Sequence, residues 1–415
     1  MTRLIRERLW RPWYAIGGLT AAILFGGSTT SWAQFGTGLV PRHLAQSNGL
    51  ERAWFARAEV NPARSELVRC ILDGDELFVL TSAGVVQAMD ANTGATKWIT
   101  RIGKPDYPSL GPAANEHLVG VMNGSTLYLL DRATGGIMAQ RRVGGPPGGG
   151  PALREHHVFV PLVNGRVEGY PLDDPTDKSW FYQSWGHALS SPRVTPNSVV
   201  WGTDSGFLYV ARADHPRIRY RLQSTGEFSA SPAYREPLIF AVSASGECFA
   251  IDEERGQLRW KFAPGYPIER GPAAVGDRLY ITTEEPMLHA IDANTGLVEW
   301  ETPGISQFAA VSKTHVFGVD RFGTIHVLDN ASGAPLGQIV SGGTLNALVN
   351  DQTDRLYLIS KNGLIQCLHE IGDKKPTYYD APPKPKKTEA APAEEESRGD
   401  TPPQEDSFTE ESSAE

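Results

Sequence analysis

The chain has 415 residues, 40% of them hydrophobic, and a formal net charge of −9 at pH 7. That balance excludes a basic nucleic-acid-binding protein, and 43 Gly with 30 Pro suit many tight turns better than a helical bundle. The three cysteines, Cys70, Cys248 and Cys367, are far apart and lack Cys-x-x-Cys spacing, which excludes c-type haem attachment and a cysteine zinc knuckle. Buried thiols are the expectation, with a Cys70–Cys367 bridge between the first and last repeats as the alternative.

Residues 1–33 have the plan of a secretory signal. Arg3, Arg6, Arg8 and Arg11 precede the apolar run AIGGLTAAILF, and cleavage is expected after Ala33. The run is too short to span a bilayer, so no membrane span is expected after cleavage, and the mature chain is placed in the periplasm or cell envelope. Residues 34–48 read as a linker.

From about residue 65 to 370 one unit recurs. Its turn glycines are Gly84, Gly124, Gly165, Gly206, Gly246, Gly323 and Gly363, spaced 40 or 41 apart except for 77 across the copy where Pro286 stands in. A β-branched or aromatic run precedes each, as in ELFVLTS and RLYITTE, and a second run follows, as in VVQAMD and MLHAID. Small residues before Pro open the innermost strands, as at Gly111-Pro112, Gly150-Pro151, Ser191-Pro192, Ser231-Pro232 and Gly271-Pro272. Inner strands crowding a common axis favour small side chains.

The outer half of each unit carries the phrase Ala-x-Asp-x-x-Thr-Gly-x-x-x-Trp. It is complete at Ala88, Asp90, Thr93, Gly94 and Trp98, and at Ala290, Asp292, Thr295, Gly296 and Trp300. It is nearly complete at Asp252, Gly256 and Trp260, and lacks the Trp at Asp131 and Gly135. The Asp is expected to accept backbone N–H groups ahead of it, the Gly to supply positive φ, and the Trp to wedge between neighbouring sheets. Units three, four and seven are degenerate: Trp180 is read as shifted, and 213–222 has no Trp.

The eighth hairpin ends at Glu370 without an outer strand, while 49–60 holds a strand-like run with Trp54 in the expected place. The prediction is an all-β, monomeric, eight-bladed propeller of four-stranded antiparallel blades over 49–372, its last blade closed by an N-terminal strand, which removes the open edge. Residues 373–415 turn Lys/Pro-rich and then acidic, and read as a disordered tail.

The repeated phrase resembles the tryptophan-docking repeats of the pyrroloquinoline quinone (PQQ)-like propeller superfamily, over roughly 49–370. Two branches of that superfamily bear on function. One is similar to the non-catalytic lipoprotein scaffold of the bacterial outer-membrane β-barrel assembly machine, and implies an envelope protein or peptide partner and no cofactor. The other comprises quinoprotein dehydrogenases that hold PQQ with calcium. This chain has no adjacent cysteine pair of the dehydrogenase kind, and no cysteine at the signal cleavage site for the scaffold's lipid. A non-catalytic scaffold is the expectation and a minimal PQQ-dependent oxidoreductase the alternative.

A ligand would be expected at the axial mouth, where loops entering the inner strands converge. They carry Asp106, Tyr107, Trp185, His187, Glu227, Phe228, Tyr266, Arg270, Gln307, Phe308 and Asn346, a mixture of aromatic and polar groups suited to a peptide. His187 and Glu227 hold similar places in adjacent repeats, the one conceivable proton-transfer pair. His156 and His157 are neighbours on a strand and point to opposite faces, a poor metal pair. GGPPGGGP at 144–151 lacks the Lys of a phosphate loop. No catalytic or metal residue is assigned.

Overall fold

The computed structural model describes residues 38–173, 178–340 and 345–379. The expected signal peptide and the acidic part of the tail lie outside these residues.

The fold is an eight-bladed β-propeller, each blade a four-stranded antiparallel sheet. Blade 1 runs from Leu67–Asp73 on the inside to Thr96–Arg101 on the outside, and blade 2 from Ser109–Ala114 to Ile137–Arg142. Blades 3 to 7 begin at Ala152–Leu153, Arg193–Val194, Ala233–Arg235, Ala273–Val275 and Gln307–Val311. Blade 8 takes three strands from Leu345–Ala347 to Leu364–Glu370, and its fourth from the other end of the folded chain. Leu50–Arg57 pairs antiparallel with Leu364–Glu370, with Trp54 opposite Cys367. The latch expected from sequence therefore closes the ring.

The core is divided among the spaces between blades. Each of eight apolar clusters draws on two adjacent blades; one joins Trp54, Tyr357 and Cys367 of blade 8 to Leu77, Val79 and Met89 of blade 1. Middle strands are therefore covered on both faces and are apolar between their ends, as in Glu76–Thr81 and Leu238–Ser243, where every residue is buried. Outermost strands alternate more, as in Thr96–Arg101, where Trp98 alone is buried.

The repeated phrase works as its chemistry suggests. Asp292 Oδ1 accepts the Asn294 N–H at 3.0 Å, the Thr295 N–H at 2.7 Å and the Thr295 hydroxyl at 2.8 Å. Trp98 Nε1 donates to the Arg132 carbonyl of the next blade at 2.8 Å, Trp260 to Ala293 at 3.0 Å, Trp300 to Asn330 at 3.2 Å and Trp54 to Ala91 at 2.9 Å. Each ring also lies flat on the next blade's turn glycine. A Cβ on Gly94 would stand 2.4 Å from the Trp54 ring, and one on Gly296 2.6 Å from Trp260. The glycine thus has two duties, a φ near +75° and a bare seat for the neighbour's indole.

One sequence reading needs correction. Trp180 is not shifted: it faces Gly169 as Trp98 faces Ala88. Its ring, however, covers Gly169 of its own blade, and Tyr182 reaches the Arg212 carbonyl of blade 4 instead. Blade 4 docks without Trp, because Tyr220 donates to Glu253 O at 2.8 Å. All three thiols are free and buried as expected, so the alternative Cys70–Cys367 bridge does not form, and burial pushes Cys70 and Cys367 up to about 12.

Both flanks of the ring are more ordered than expected. Within the presumed linker, Arg42–Ser47 is a short helix with Ala45 buried, and the Val40 N–H donates to Gln366 Oε1 at 3.2 Å. At the other end the Asp354 N–H donates to Thr377 O at 3.2 Å, and the Tyr379 hydroxyl donates to Val311 O at 2.7 Å.

Candidate functional site

The two faces of the ring are built from different connections. The loop entering each blade's innermost strand lies beside that blade's glycine turn: the Gly124 N–H donates to Pro108 O, Ala244 N–H to Glu227 O and Glu284 N–H to Pro267 O, each at 2.9 Å. The Asp-x-x-Thr-Gly turns belong to the opposite face, where the Ala91 N–H meets Asp75 O at 2.8 Å. The entry loops that sequence singled out therefore share one face.

Within that face the candidate residues separate. Tyr107, Trp185 and Tyr266 are 49%, 73% and 50% exposed, and His187, Glu227, Arg270 and Asn346 are also exposed. Phe228 and Phe308 do not line a mouth. Phe228 packs on Gly202 in the space between blades 4 and 5, and Phe308 stacks on Tyr280 with ring centroids 4.5 Å apart. Phe228 is core because its entry loop turns inward, and Phe308 because it belongs to the innermost strand of blade 7 rather than to a loop. Gln307 is half-buried, and its Nε2 donates to the Ala347 carbonyl of blade 8 at 2.8 Å, which ties two inner strands together. The small residues at the strand starts do crowd: a Cβ on Gly150 would stand 2.9 Å from Gly111, and Ser231 Oγ donates to Ser191 O at 2.9 Å.

His187 does not pair with Glu227. Its Nδ1 lies 2.6 Å from Asp204 Oδ2, and its backbone N–H donates to Asp204 Oδ1 at 2.8 Å. Burial alone would raise the Asp204 carboxyl, but these two donors hold it below the usual carboxylate range. His156 and His157 do diverge, His156 Nδ1 toward Asp173 at 2.9 Å and the His157 ring onto Trp180 at 4.9 Å. Among the described residues, no group of three or more His, Cys, Asp or Glu gathers to hold a metal ion.

A cleft lies off the axis, between the outer strands of blades 3 and 4. It has a volume of about 610 Å³ and is lined by Asn164, Gln183, Ser184, Trp185, Gly186, His187, Tyr209, Ile218 and Arg221. Only Trp185 and His187 among the candidates reach it. Its floor is rigid: Tyr209 stacks on buried Trp201 at 5.4 Å and 10°, and Tyr182 packs on the same indole at 5.5 Å. Sequence reasoning missed Tyr209, Ile218 and Arg221 because they belong to ordinary strand patterns.

Comparison with known proteins places this architecture. The family model for the outer membrane protein assembly factor BamB matches residues 53–167, 82–193 and 245–304. The outer membrane protein assembly factor BamB of Yersinia pestis is 21% identical over 70% of this chain and 81% of its own length. That of Burkholderia pseudomallei is 25% identical over 63% of this chain and 62% of its own. The dehydrogenase subunit of a quinone alcohol dehydrogenase from Gluconobacter oxydans is 22% identical, over 41% of this chain but 22% of its own length. Among solved structures, BamB from Moraxella catarrhalis superposes with a TM-score of 0.62 at 16% identity, covering 77% of this chain and 97% of that one. The quinohemoprotein alcohol dehydrogenase of Comamonas testosteroni superposes at 0.57 with 13% identity, covering 78% and 77%, so both branches share the fold. Repeat phrase, blade count, family match and superposition agree: the chain is a PQQ-like β-propeller that resembles the outer membrane protein assembly factor BamB.

Proposed function

We propose that this chain is an exported, monomeric, non-catalytic scaffold that holds a protein partner of the cell envelope on its entry-loop face. One observation carries the reading. Large apolar side chains stand exposed along that face, namely Tyr107, Val163, Trp185, Leu189, Tyr266, Phe322 and Val340. The opposite face exposes aliphatic side chains instead, among them Met138, Leu297, Val349 and Ile371. Scattered exposed apolar residues are ordinary, but four exposed aromatic rings on one side, Tyr107, Trp185, Tyr266 and Phe322, are the mark of a contact surface. The relatives named as assembly factors favour the same reading, and the signal-like segment 1–33 is consistent with export. This reading includes no cofactor. The PQQ-dependent alternative rests on a dehydrogenase matched over 22% of its length.

Site-specific photocrosslinking in the native envelope tests the proposal. Crosslinkers placed at Tyr107, Trp185 and Tyr266 are expected to capture an outer-membrane assembly protein, and one at Leu297 is not. Equal capture from both faces, or capture from Leu297 alone, overturns it.

A further inference from the structure

We propose that the cleft between blades 3 and 4 is a saccharide-binding site, which takes one or more pyranose units of an oligosaccharide chain. This inference is independent of the scaffold reading. Its volume of about 610 Å³ is that of a small-molecule site.

The chemistry of the lining selects the ligand class. Trp185 presents an indole that is 73% exposed, yet its backbone is anchored, because its N–H donates to the Tyr209 hydroxyl at 2.9 Å. A solvent-facing indole on an anchored backbone is a platform for the apolar C–H face of a pyranose. Around it stand flat polar groups: the Asn164 and Gln183 amides, the Arg221 guanidinium and the His187 imidazole. Planar donors of this kind match vicinal hydroxyls two at a time.

Gln183 is engaged, its Oε1 accepting from Arg166 Nε and its Nε2 donating to the Asn164 and Ser184 carbonyls, but the capacity of the others is only partly used inside the protein. The Tyr209 hydroxyl accepts from Trp185 and keeps its own O–H to donate. Asp204 takes the Nδ1 side of His187, which turns Nε2 into an oriented acceptor when the ring is neutral. Asn164 Oδ1 accepts the Arg166 N–H at 3.1 Å, which leaves its amide N–H₂ to donate. Arg221 lies over the Phe207 ring at 4.9 Å and has no carboxylate partner among the described residues.

The lining contains no Asp or Glu, so it offers no counter-charge to a basic peptide. The apolar platform also continues along blade 3. Phe181, 48% exposed, is two residues from Gln183 on the same side of its strand, with the Arg166 guanidinium 4.3 Å above its ring. A second stacking position a strand-pair step away suits a chain of sugars better than a single small solute.

The test begins with the full chain on a printed array of neutral and acidic oligosaccharides, followed by calorimetric titration with the strongest glycan. Saturable binding is expected. Trp185→Ala and Arg221→Ala should each weaken it about tenfold or more, while Leu297→Ala on the other face leaves it unchanged. The substituted side chains are all exposed at the surface, and circular dichroism verifies that each variant is folded. An array without signal above that of Trp185→Ala overturns the proposal. So does glycan binding indifferent to Trp185→Ala, or Trp185-dependent binding seen only with displayed peptides.

Discussion

The joints between blades fall into two kinds. Six close on an aromatic side chain that reaches a carbonyl of the next blade: Trp54, Trp98, Tyr182, Tyr220, Trp260 and Trp300. In the other two, Ala139 and Gly337 occupy the register position of the Trp. Between blades 2 and 3 the Arg141 guanidinium lies over the Tyr170 ring at 4.9 Å. Between blades 7 and 8 a polar cluster takes over. Glu370 Oε1 accepts from the Ser312 and Thr314 hydroxyls and faces His315 Nδ1 at 2.6 Å. Asn48, just past the N-terminal helix, donates to Gln338 O at 3.4 Å and lies against Gly337. An aromatic joint needs only two adjacent blades. The polar joint also draws Asn48 from the N-terminal flank, so it is complete only once the ring has closed.

Substitutions break this comparison in graded fashion. Trp54→Ala should be the most damaging, because it empties a buried indole site and weakens the strand that closes blade 8. A loss of about 3–5 kcal/mol is expected by denaturant unfolding. A loss under about 1 kcal/mol shows that the latch does not need its aromatic anchor.

Glu370→Gln should cost about 1.5–3 kcal/mol, since it removes a charged acceptor from several donors. Its pH dependence sharpens the contrast. Burial would raise Glu370, but the Ser312, Thr314 and His315 donors hold it below its usual 4.5. A depressed folded value contributes stability that is complete above about 4.5 and is lost as pH falls through the lower folded value. Hydrogen exchange should therefore show the 7–8 joint loosening in acid before the Trp260 joint does, and Glu370→Gln should abolish that difference. Simultaneous loosening of both joints in the native chain argues against the contrast.

Gly337→Ala should have the smallest effect, about 0.5–1.5 kcal/mol by thermal unfolding. The added Cβ would stand 2.1 Å from Asn48 Oδ1, but that amide can swing away and give up its bond to Gln338. An equivalent change at Gly296, under the Trp260 ring and at a φ of 76°, should cost more.

Repetition made the architecture readable. A turn Asp, a positive-φ Gly and a Trp eight residues after the Asp act through local geometry, so each copy announces itself in the chain, and even the missing outer strand of blade 8 pointed to Leu50–Arg57. The sequence by itself thus determined the blade count, the closure and the role of the phrase. Only the tertiary structure decided which aromatics are surface and which are core. Phe228 and Tyr266 stand in similar entry loops, yet one is 2% and the other 50% exposed. It also decided that Tyr182 and Tyr220 substitute for Trp, and that His187 answers to Asp204 rather than Glu227. The cleft's lining is drawn from 164–221, across two blades, and no linear spacing encodes that convergence. The physical reason is reach: a turn or a docking ring is defined by neighbours a few residues away, whereas a cleft is defined by how two finished sheets happen to stand against each other.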